Sequence, residues 1–244
     1  MSETLKTAVI ILHYGDPGLT RRVHDQLLLS DPGLEDHILV LDNNAPEKYS
    51  QAWIRLPQNL FWAGALEWTA RQISSLGYTH LWFLNNDILF DVTPPIIVRA
   101  VKRMAWIEKQ LGKVGIYSPS VLSNPYHPQM VQNRKHQFRK VCYIDGIAPL
   151  INLECWFSLQ NLGIDENPIG YGVDNYFSLQ ADALGWNVVV DQQVAIKHEY
   201  HSTARTVEGF LDQAFILAGS YLRRRIGPGS RARLENLAGQ YTDY

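Results

Sequence analysis

The sequence predicts an α/β fold, with a mostly parallel sheet sandwiched by helices in a single domain over residues 1–244. Three observations predict it. Short β-branched runs alternate with stretches of helical period through the first half, the order that right-handed crossovers between parallel strands require. Those runs are apolar without alternation, as in strands covered on both faces. Composition agrees: 46% hydrophobic and 19% charged residues in 244 positions support a large core and exclude a disordered chain.

Thr7 to His13 (TAVIILH) is the first strand. Tyr14-Gly15-Asp16-Pro17-Gly18 breaks it, and Leu19 to Leu29 then follows a helical period. His37 to Asp42 (HILVLD) is the second strand, closed by the turn-prone Asn43-Asn44-Ala45-Pro46. After Asn59 a helix is expected, with Leu60, Ala63, Leu66 and Ala70 spaced for one face and Gly77 ending it. His80 to Asp87 (HLWFLNND) is a third apolar strand that ends in three polar residues. Pro94-Pro95 opens a helix to about Leu111, and Val114 to Tyr117 is a fourth strand.

From about Ser118 the pattern is less regular. Ser123 to Arg139 is rich in Asn, Pro, His and Gln and reads as a long loop, a length often found in lids and binding loops. Lys140 to Gly146 (KVCYIDG) reads as a strand, followed by the apolar stretch Ala148 to Leu159. A helix is expected from about Asp174 to Leu184, with Gly185 closing it. VVVD (188–191) and VAIKH (194–198) read as two separate strands. Val207 to Arg225 reads as an amphipathic helix stopped by Gly227-Pro228-Gly229-Ser230.

Charge and cysteine content narrow the function classes. Lys plus Arg against Asp plus Glu is 22 − 24 = −2, so no broad basic field is available for a nucleic-acid backbone, and no nucleic-acid partner is expected. Cys142 and Cys155 are too few for a disulfide framework or a zinc ribbon. The start, MSETLKTAVIILHYGDP, lacks the basic region, long apolar core and small-residue cleavage site of a signal peptide. No apolar run approaches the roughly 20 residues of a membrane span. A soluble, cytoplasmic protein is expected.

In parallel sheets ligands gather outside the carboxyl ends of the strands. His13, Asp42 and Asn85-Asn86-Asp87 stand there. Asp87 can hold a divalent cation and the two amides can bond sugar hydroxyls; the alternative is that all three form a turn. Asp42 is either a turn residue or an acceptor for a base N–H or ribose hydroxyl. His198 follows the last apolar strand and is a metal ligand or a structural histidine, with His201 near enough to compete. Asp174 opens a helix, as an N-cap or as a general base for a hydroxyl nucleophile. Seven tryptophans are present and most belong in a core. Trp156 and Tyr171 flank Asp174 and are the choices for stacking on a sugar face, with Tyr14 and Tyr126 as further aromatic candidates. Arg223-Arg224-Arg225 matches the charge preference of a helix C-terminus. Contact of this basic end with a diphosphate or a membrane surface is the lesser alternative.

Taken together, the motifs resemble the family 2 glycosyltransferases of the Rossmann-like GT-A fold, particularly their bacterial rhamnosyltransferase-like branch. VIILHYGDP is similar to that family's first strand, and LDNNAPE to its second-strand Asp-Asn-Ala-Ser motif. QNLFWAGALEWTARQ resembles its Asn-x-Gly-Phe-Ala-Gly-x-x-Asn helix start, and LNND stands at the position of its DxD-like motif. IDENPIGYGVDNYFSLQADALGW resembles the segment with the Glu-Asp pair, and VAIKHEYHST the closing strand and histidine. The resemblance runs over about residues 7 to 203, in order.

It implies an inverting, metal-dependent transfer of a sugar from a nucleoside-diphosphate donor, UDP or dTDP, to a hydroxyl of a carbohydrate or glycan acceptor. Residues 7–117 would bind the nucleotide sugar, 118–205 would hold the acceptor and the catalytic base, and 206–244 would form a helical tail. Asp42 would bond the base and Asn85 would approach the ribose. His13, Tyr14, Asn59 and Asn86 would complete the nucleotide site. Asp87, with His198, would hold Mn²⁺ or Mg²⁺ on the diphosphate, and Asp174 would be the catalytic base. Val173 replaces the Glu of the family's pair, and Tyr176 its later Asp. The competing readings are a non-catalytic nucleotide-sugar or carbohydrate-binding module and a sugar nucleotidyltransferase; the latter expects a denser Gly-rich, basic phosphate loop after the first strand than HYGDPGLTRR provides.

Overall fold

The computed structural model describes residues 6–244 except Pro168, His201, Thr203, Ala204, Thr206 and Val207. The first half follows the expected alternation: β1 (Thr7–His13), α1 (Pro17–Ser30), β2 (Ile38–Asp42), β3 (Ile54–Arg55), α2 (Phe61–Ser75), β4 (His80–Asn85), β5 (Ile88–Phe90), α3 (Ile96–Leu111) and β6 (Val114–Val121). The second half adds β7 (Phe138–Val141), β8 (Leu150–Asn152), α4 (Leu153–Ser158), α5 (Val173–Ala183), β9 (Asn187–His198), α6 (Phe210–Ile226), α7 (Ser230–Ala238) and β10 (Thr242–Asp243).

One sheet runs in the order β10-β7-β9-β6-β8-β4-β1-β2-β3, with β5 paired to the end of β9. β1 is parallel to both β2 and β4, and β2 is parallel to β3. β8 is antiparallel to both β4 and β6, so β6 runs with β4, and β9 is parallel to β6. β10, antiparallel to β7, thus also runs with this set; β5, β7 and β8 run against it. The sheet is therefore mostly parallel. All seven residues of β1 are buried, as the apolar run demands for a central strand covered on both faces.

Carboxylates cap the helices and tie one to another. Asp16 caps α1 by accepting from the Gly18 N–H, with Pro17 at the first helical position. At its other end, buried Asp31 accepts from the N–H groups of Ile96, Ile97 and Val98 and so caps α3, 65 residues later in the chain. α3 then buries Ile97, Ala100, Met104 and Ile107 along one stripe against β6 and β9.

Several elements differ from the sequence reading. VVVD and VAIKH form the single strand β9, because the intervening Asp191 and Gln192 are buried and bonded to distant elements rather than exposed in a turn. Asp191 takes Arg103 and the Tyr117 hydroxyl, and Gln192 Oε1 accepts from the Asn133 N–H. The pairing with β6 absorbs the extra residues in a register shift, from Pro119 opposite Asp191 to Ser120 opposite Ala195. The strand placed at Lys140–Gly146 ends instead at Val141. Beyond it the chain bends toward α5, where Ile144 N–H donates to Ser178 Oγ and Gly146 N–H to Asp174 Oδ2. The tail is more than one helix: α7 follows α6, and β10 returns to the sheet, where Arg139 pairs with Asp243 and Tyr244 stacks on Phe138. Among the described residues, no helix is long and apolar enough to cross a membrane.

Candidate active site

The register of three parallel strands brings their polar ends level: His13 lies beside Asp42, and Leu12 beside Asn85. Asn86 and Asp87 turn the chain from β4 into β5. β5 then pairs antiparallel with β9, placing Ile88 opposite His198. As a result Asp87 Oδ1 meets His198 Nε2 at 3.0 Å, while Asp87 Oδ2 accepts from the Ser202 hydroxyl at 2.9 Å. A cleft of about 680 Å³ opens over these strand ends. Of the residues expected from sequence, Tyr14, Asn59, Asn85, Asn86, Asp87, Tyr126, Tyr171, Asp174 and His198 line it.

The amide groups build the floor. Asn43 Nδ2 donates to Asn59 Oδ1 at 2.8 Å, and Asn43 Oδ1 accepts from Leu60 N–H, tying the approach to α2 onto the end of β2. Trp62 Nε1 donates to Asn85 Oδ1 at 3.1 Å. Asn86 Nδ2 donates to Tyr14 O and Thr20 Oγ1, which fixes the loop after β1.

Opposite the Asp87–His198 pair, Asp174 sits in the first turn of α5. Its Oδ2 accepts from Gly146 N–H at 2.8 Å and its Oδ1 from Asn175 N–H at 2.9 Å. Gly146 is required beneath this contact, because a Cβ there would come within 2.6 Å of the Trp62 ring. Burial and the nearby charge of Asp145 raise the Asp174 carboxyl to about 6, against the lowering influence of His127 and the two N–H bonds. Burial first, then the negative charges of Asp145, Asp87 and Asp174, push the Tyr171 hydroxyl up to about 12. Tyr200 is raised by burial and by Asp145 and Asp87. The cleft is thus a region of negative potential that favours a cation.

Three expected site residues lie elsewhere. His13 is fully buried, with Nδ1 on Thr20 Oγ1 and Nε2 on Glu47 O, both at 2.7 Å, so neither ring nitrogen faces the cleft. Asp42 is also fully buried; its carboxylate takes Arg55 at 2.7 Å and the N–H groups of Ala45 and Tyr49, which accounts for its acceptor capacity. Trp156 is a core residue of α4, packed edge-on against Phe177, and the cleft tryptophan is Trp62. His201 lies outside the described residues. The sequence reading did not single out Asn43, Phe61, His127, Asp145 and Tyr200, all of which line the cleft. The dipeptide Asp145-Gly146 after a strand was the one local signal available for them.

The residues present fit a divalent cation at one place. Asp87 offers carboxylate oxygens, and His198 an imidazole whose Nδ1 is buried without a hydrogen-bond partner among the described residues. This oxygen and nitrogen donor set suits Mn²⁺ or Mg²⁺ when phosphate oxygens and water supply the rest. Among the described residues no group of three or more His, Cys, Asp or Glu side chains is placed to hold a metal by itself.

No family model matches the chain. The uncharacterized proteins Rv1525 of Mycobacterium tuberculosis and Mb1552 of Mycobacterium bovis are each 24% identical over 152 residues, which is 61% of this chain. The match spans 58% of the length of these curated relatives. Among solved structures, GalNAc-T7 with UDP, GalNAc and Mn²⁺ superposes with a TM-score of 0.59 at 13% identity, over 81% of this chain and 44% of that one. The mannosyltransferase PcManGT from Pyrobaculum calidifontis, in complex with GDP-Man and Mn²⁺, gives 0.57 at 12% identity over 96% and 80%. A mycobacterial protein gives 0.56 at 15% identity over 98% and 83%. At these identities the likeness establishes the fold: the chain has the GT-A glycosyltransferase architecture.

Proposed function

We propose that the chain is a metal-dependent inverting glycosyltransferase of the family 2, rhamnosyltransferase-like kind. It would move a sugar from UDP or dTDP to a hydroxyl of a carbohydrate acceptor in polysaccharide or glycan synthesis. The observation that carries this reading is the placement of the Asp87–His198 pair and the raised carboxyl of Asp174 in one cleft, at the carboxyl ends of the parallel strands. The Mn²⁺ complexes of two similarly folded proteins, one with UDP and GalNAc and one with GDP-Man, support it.

In this reading residues 7–117 bind the donor, 118–205 hold the acceptor and the base, and the tail closes one wall. Asn85 and Asn86 orient the donor by hydrogen bonds, with Tyr14 and Asn59 beside them; Tyr171 packs against the transferred or accepting sugar. Asp87 and His198 hold Mn²⁺ or Mg²⁺, which when bound offsets the charge on the donor diphosphate. Asp174 takes the proton of the acceptor hydroxyl. That oxygen forms the new bond to the anomeric carbon as the bond to the diphosphate oxygen breaks, inverting the configuration. A carboxyl raised to about 6 suits a base that is ionised at neutral pH and still proton-affine.

A placed base contributes typically 10²–10⁴-fold, roughly 3–5 kcal/mol. Asp174→Asn is therefore expected to retain donor binding and to lose transfer by that factor. Normal turnover in the variant removes Asp174 as base. A binding module on the same scaffold would show neither transfer nor slow donor hydrolysis in the unaltered protein. The nucleotidyltransferase alternative is disfavoured because the start of α1, after the first strand, is capped by the acidic Asp16 rather than framed by a Gly-rich, basic loop.

A further inference from the structure

An amide side chain carries donors on one side and an acceptor on the other. Which side faces outward is settled when the inward partner works one way only. Two neighbouring amides at the end of β4 meet such partners. The indole N–H of Trp62 can only donate, and it donates to Asn85 Oδ1 at 3.1 Å. The backbone carbonyl of Tyr14 can only accept, and it takes Asn86 Nδ2 at 3.2 Å. Asn85 therefore turns its amide nitrogen outward, and Asn86 its oxygen. Both residues line the cleft, and among the described residues Asn85 Nδ2 and Asn86 Oδ1 carry no hydrogen bond and are not enclosed.

The polarity of Asn86 is anchored two layers deeper. His13 Nε2 lies 2.7 Å from Glu47 O, which can only accept, so this nitrogen carries the proton of the neutral ring. His13 Nδ1 is then an acceptor, and the Thr20 hydroxyl, 2.7 Å away, donates to it. With its one hydrogen so used, Thr20 Oγ1 accepts from Asn86 Nδ2 at 3.0 Å. The chain of donors runs one way, from Asn86 through Thr20 and His13 to Glu47. His13 and Thr20 are fully buried, so no water replaces a lost partner. An amide turned the other way would set oxygen against the Tyr14 carbonyl and strip Thr20 of its donor, a costly exchange in a buried network.

An outward oxygen accepts only from a group that has a hydrogen to give. The diphosphate of a nucleotide sugar, ionised at neutral pH, has none, whereas a hydroxyl has one. We propose that His13 and Thr20 are positioning residues that hold Asn86 as an acceptor, and that its side-chain oxygen takes a hydroxyl of the nucleotide-sugar donor, on the ribose or on the transferred sugar. The proposal rests on the glycosyltransferase reading and specifies the polarity of its donor site. It also gives His13 a role although neither of its ring nitrogens reaches the cleft.

The relay is read without ligand by ¹⁵N NMR of the labelled protein. His13 is expected as the Nε2–H tautomer, and the Asn86 side-chain amide to exchange with water at least about tenfold more slowly than that of Asn85. Thr20→Val is expected to remove that protection and Thr20→Ser to keep it. An Nδ1–H tautomer, or equal exchange of the two amides in the unaltered protein, overturns the proposal.

The hydroxyl contact is read by calorimetric titration in Mn²⁺. The probes are UDP, dTDP and GDP with their deoxyribose forms, and the glucose, galactose, mannose and rhamnose conjugates with their deoxy-sugar forms. Removing one hydroxyl is expected to weaken binding to the unaltered protein about five- to tenfold, and Asn86→Ala to weaken the parent ligand by a similar factor. In Asn86→Ala and Thr20→Val the same hydroxyl is expected to matter less than about twofold, and in Thr20→Ser to matter as before. Whether a deoxyribose or a deoxy-sugar form shows this coupling says which hydroxyl is held. Full additivity for every hydroxyl overturns the proposal, as does a Thr20→Ser variant that behaves like Thr20→Val. No nucleotide binding by the folded, unaltered protein overturns the glycosyltransferase reading and the hydroxyl contact with it, while the relay is scored separately by the spectra.

Discussion

Asp87 Oδ1 and His198 Nε2 lie 3.0 Å apart although 111 residues separate them in the sequence. The short strand β5 makes the contact, because its antiparallel pairing to β9 sets Ile88 opposite His198. A turn residue and a strand-end histidine, each open to a structural reading alone, become a paired donor set through that register.

His198→Gln is expected to weaken Mn²⁺ binding in the presence of nucleoside diphosphate by about tenfold or more, since the imidazole is lost and the Asp87 carboxylate with its Ser202 bond stays. Electron paramagnetic resonance of free Mn²⁺ reads this directly. Unchanged Mn²⁺ affinity would remove His198 from the metal site.

The raised Asp174 carboxyl gives both activity and stability a pH dependence. Transfer is expected to fall on the acid side with an apparent pKa near 6, rather than in the ordinary carboxylate range near 4. For stability the sign is opposite to that of a salt-bridged carboxylate. The folded state holds this proton more tightly than the unfolded chain, so a penalty is absent below 3.8, grows up to about pH 6 and is complete above it. The melting temperature of Asp174→Asn relative to the unaltered protein should therefore rise between pH 4 and pH 8. A constant difference across that range would contradict the assignment.

Asp42 serves the fold in this structure. Its side chain is 1% exposed and its ion partner Arg55 stands at 2.7 Å. Arg55→Ala leaves a buried carboxylate with backbone partners alone, which costs about 3 kcal/mol. A melting temperature lower by about 6–12 °C is expected for a chain of this size, with nucleotide affinity retained in the folded fraction. Retained stability with lost nucleotide affinity would return Asp42 to the donor site.

Gly146→Ala tests how the base is positioned. The added Cβ would approach Trp62 Cζ2 to 2.6 Å and Cη2 to 2.8 Å, so either the indole leaves Asn85 or the Gly146 N–H leaves Asp174. Overpacking of this kind costs about 1–3 kcal/mol. A drop in thermal stability together with reduced kcat is expected. Full activity at unchanged stability would show that the Trp62–Gly146 contact does not support the site.

The parallel half of the fold was legible because each apolar run is long, β-branched and punctuated by polar residues at the strand end that later faces the cleft. β9 was read as two strands because Asp191-Gln192-Gln193 looks like a turn, and only Arg103 and Tyr117, from distant elements, make it a strand interior. β10 and β5 are two and three residues long and carry no periodic signal. In the site, Asp87, Asp174 and His198 could be placed by position along the chain. Asp145 and His127 could not, because they come from irregular segments whose path is set by long-range bonds such as Asn124 to Asp145. Trp156 was chosen for nearness to Asp174 in sequence, and a six-residue helix turns it into the core.

The most direct measurement is calorimetric titration of the protein with UDP, dTDP and GDP, with and without Mn²⁺, repeated on Asp87→Ala. The proposed function predicts metal-dependent binding of one nucleotide that falls at least about tenfold in the variant. No binding of any of the three by folded, unaltered protein would contradict the glycosyltransferase reading.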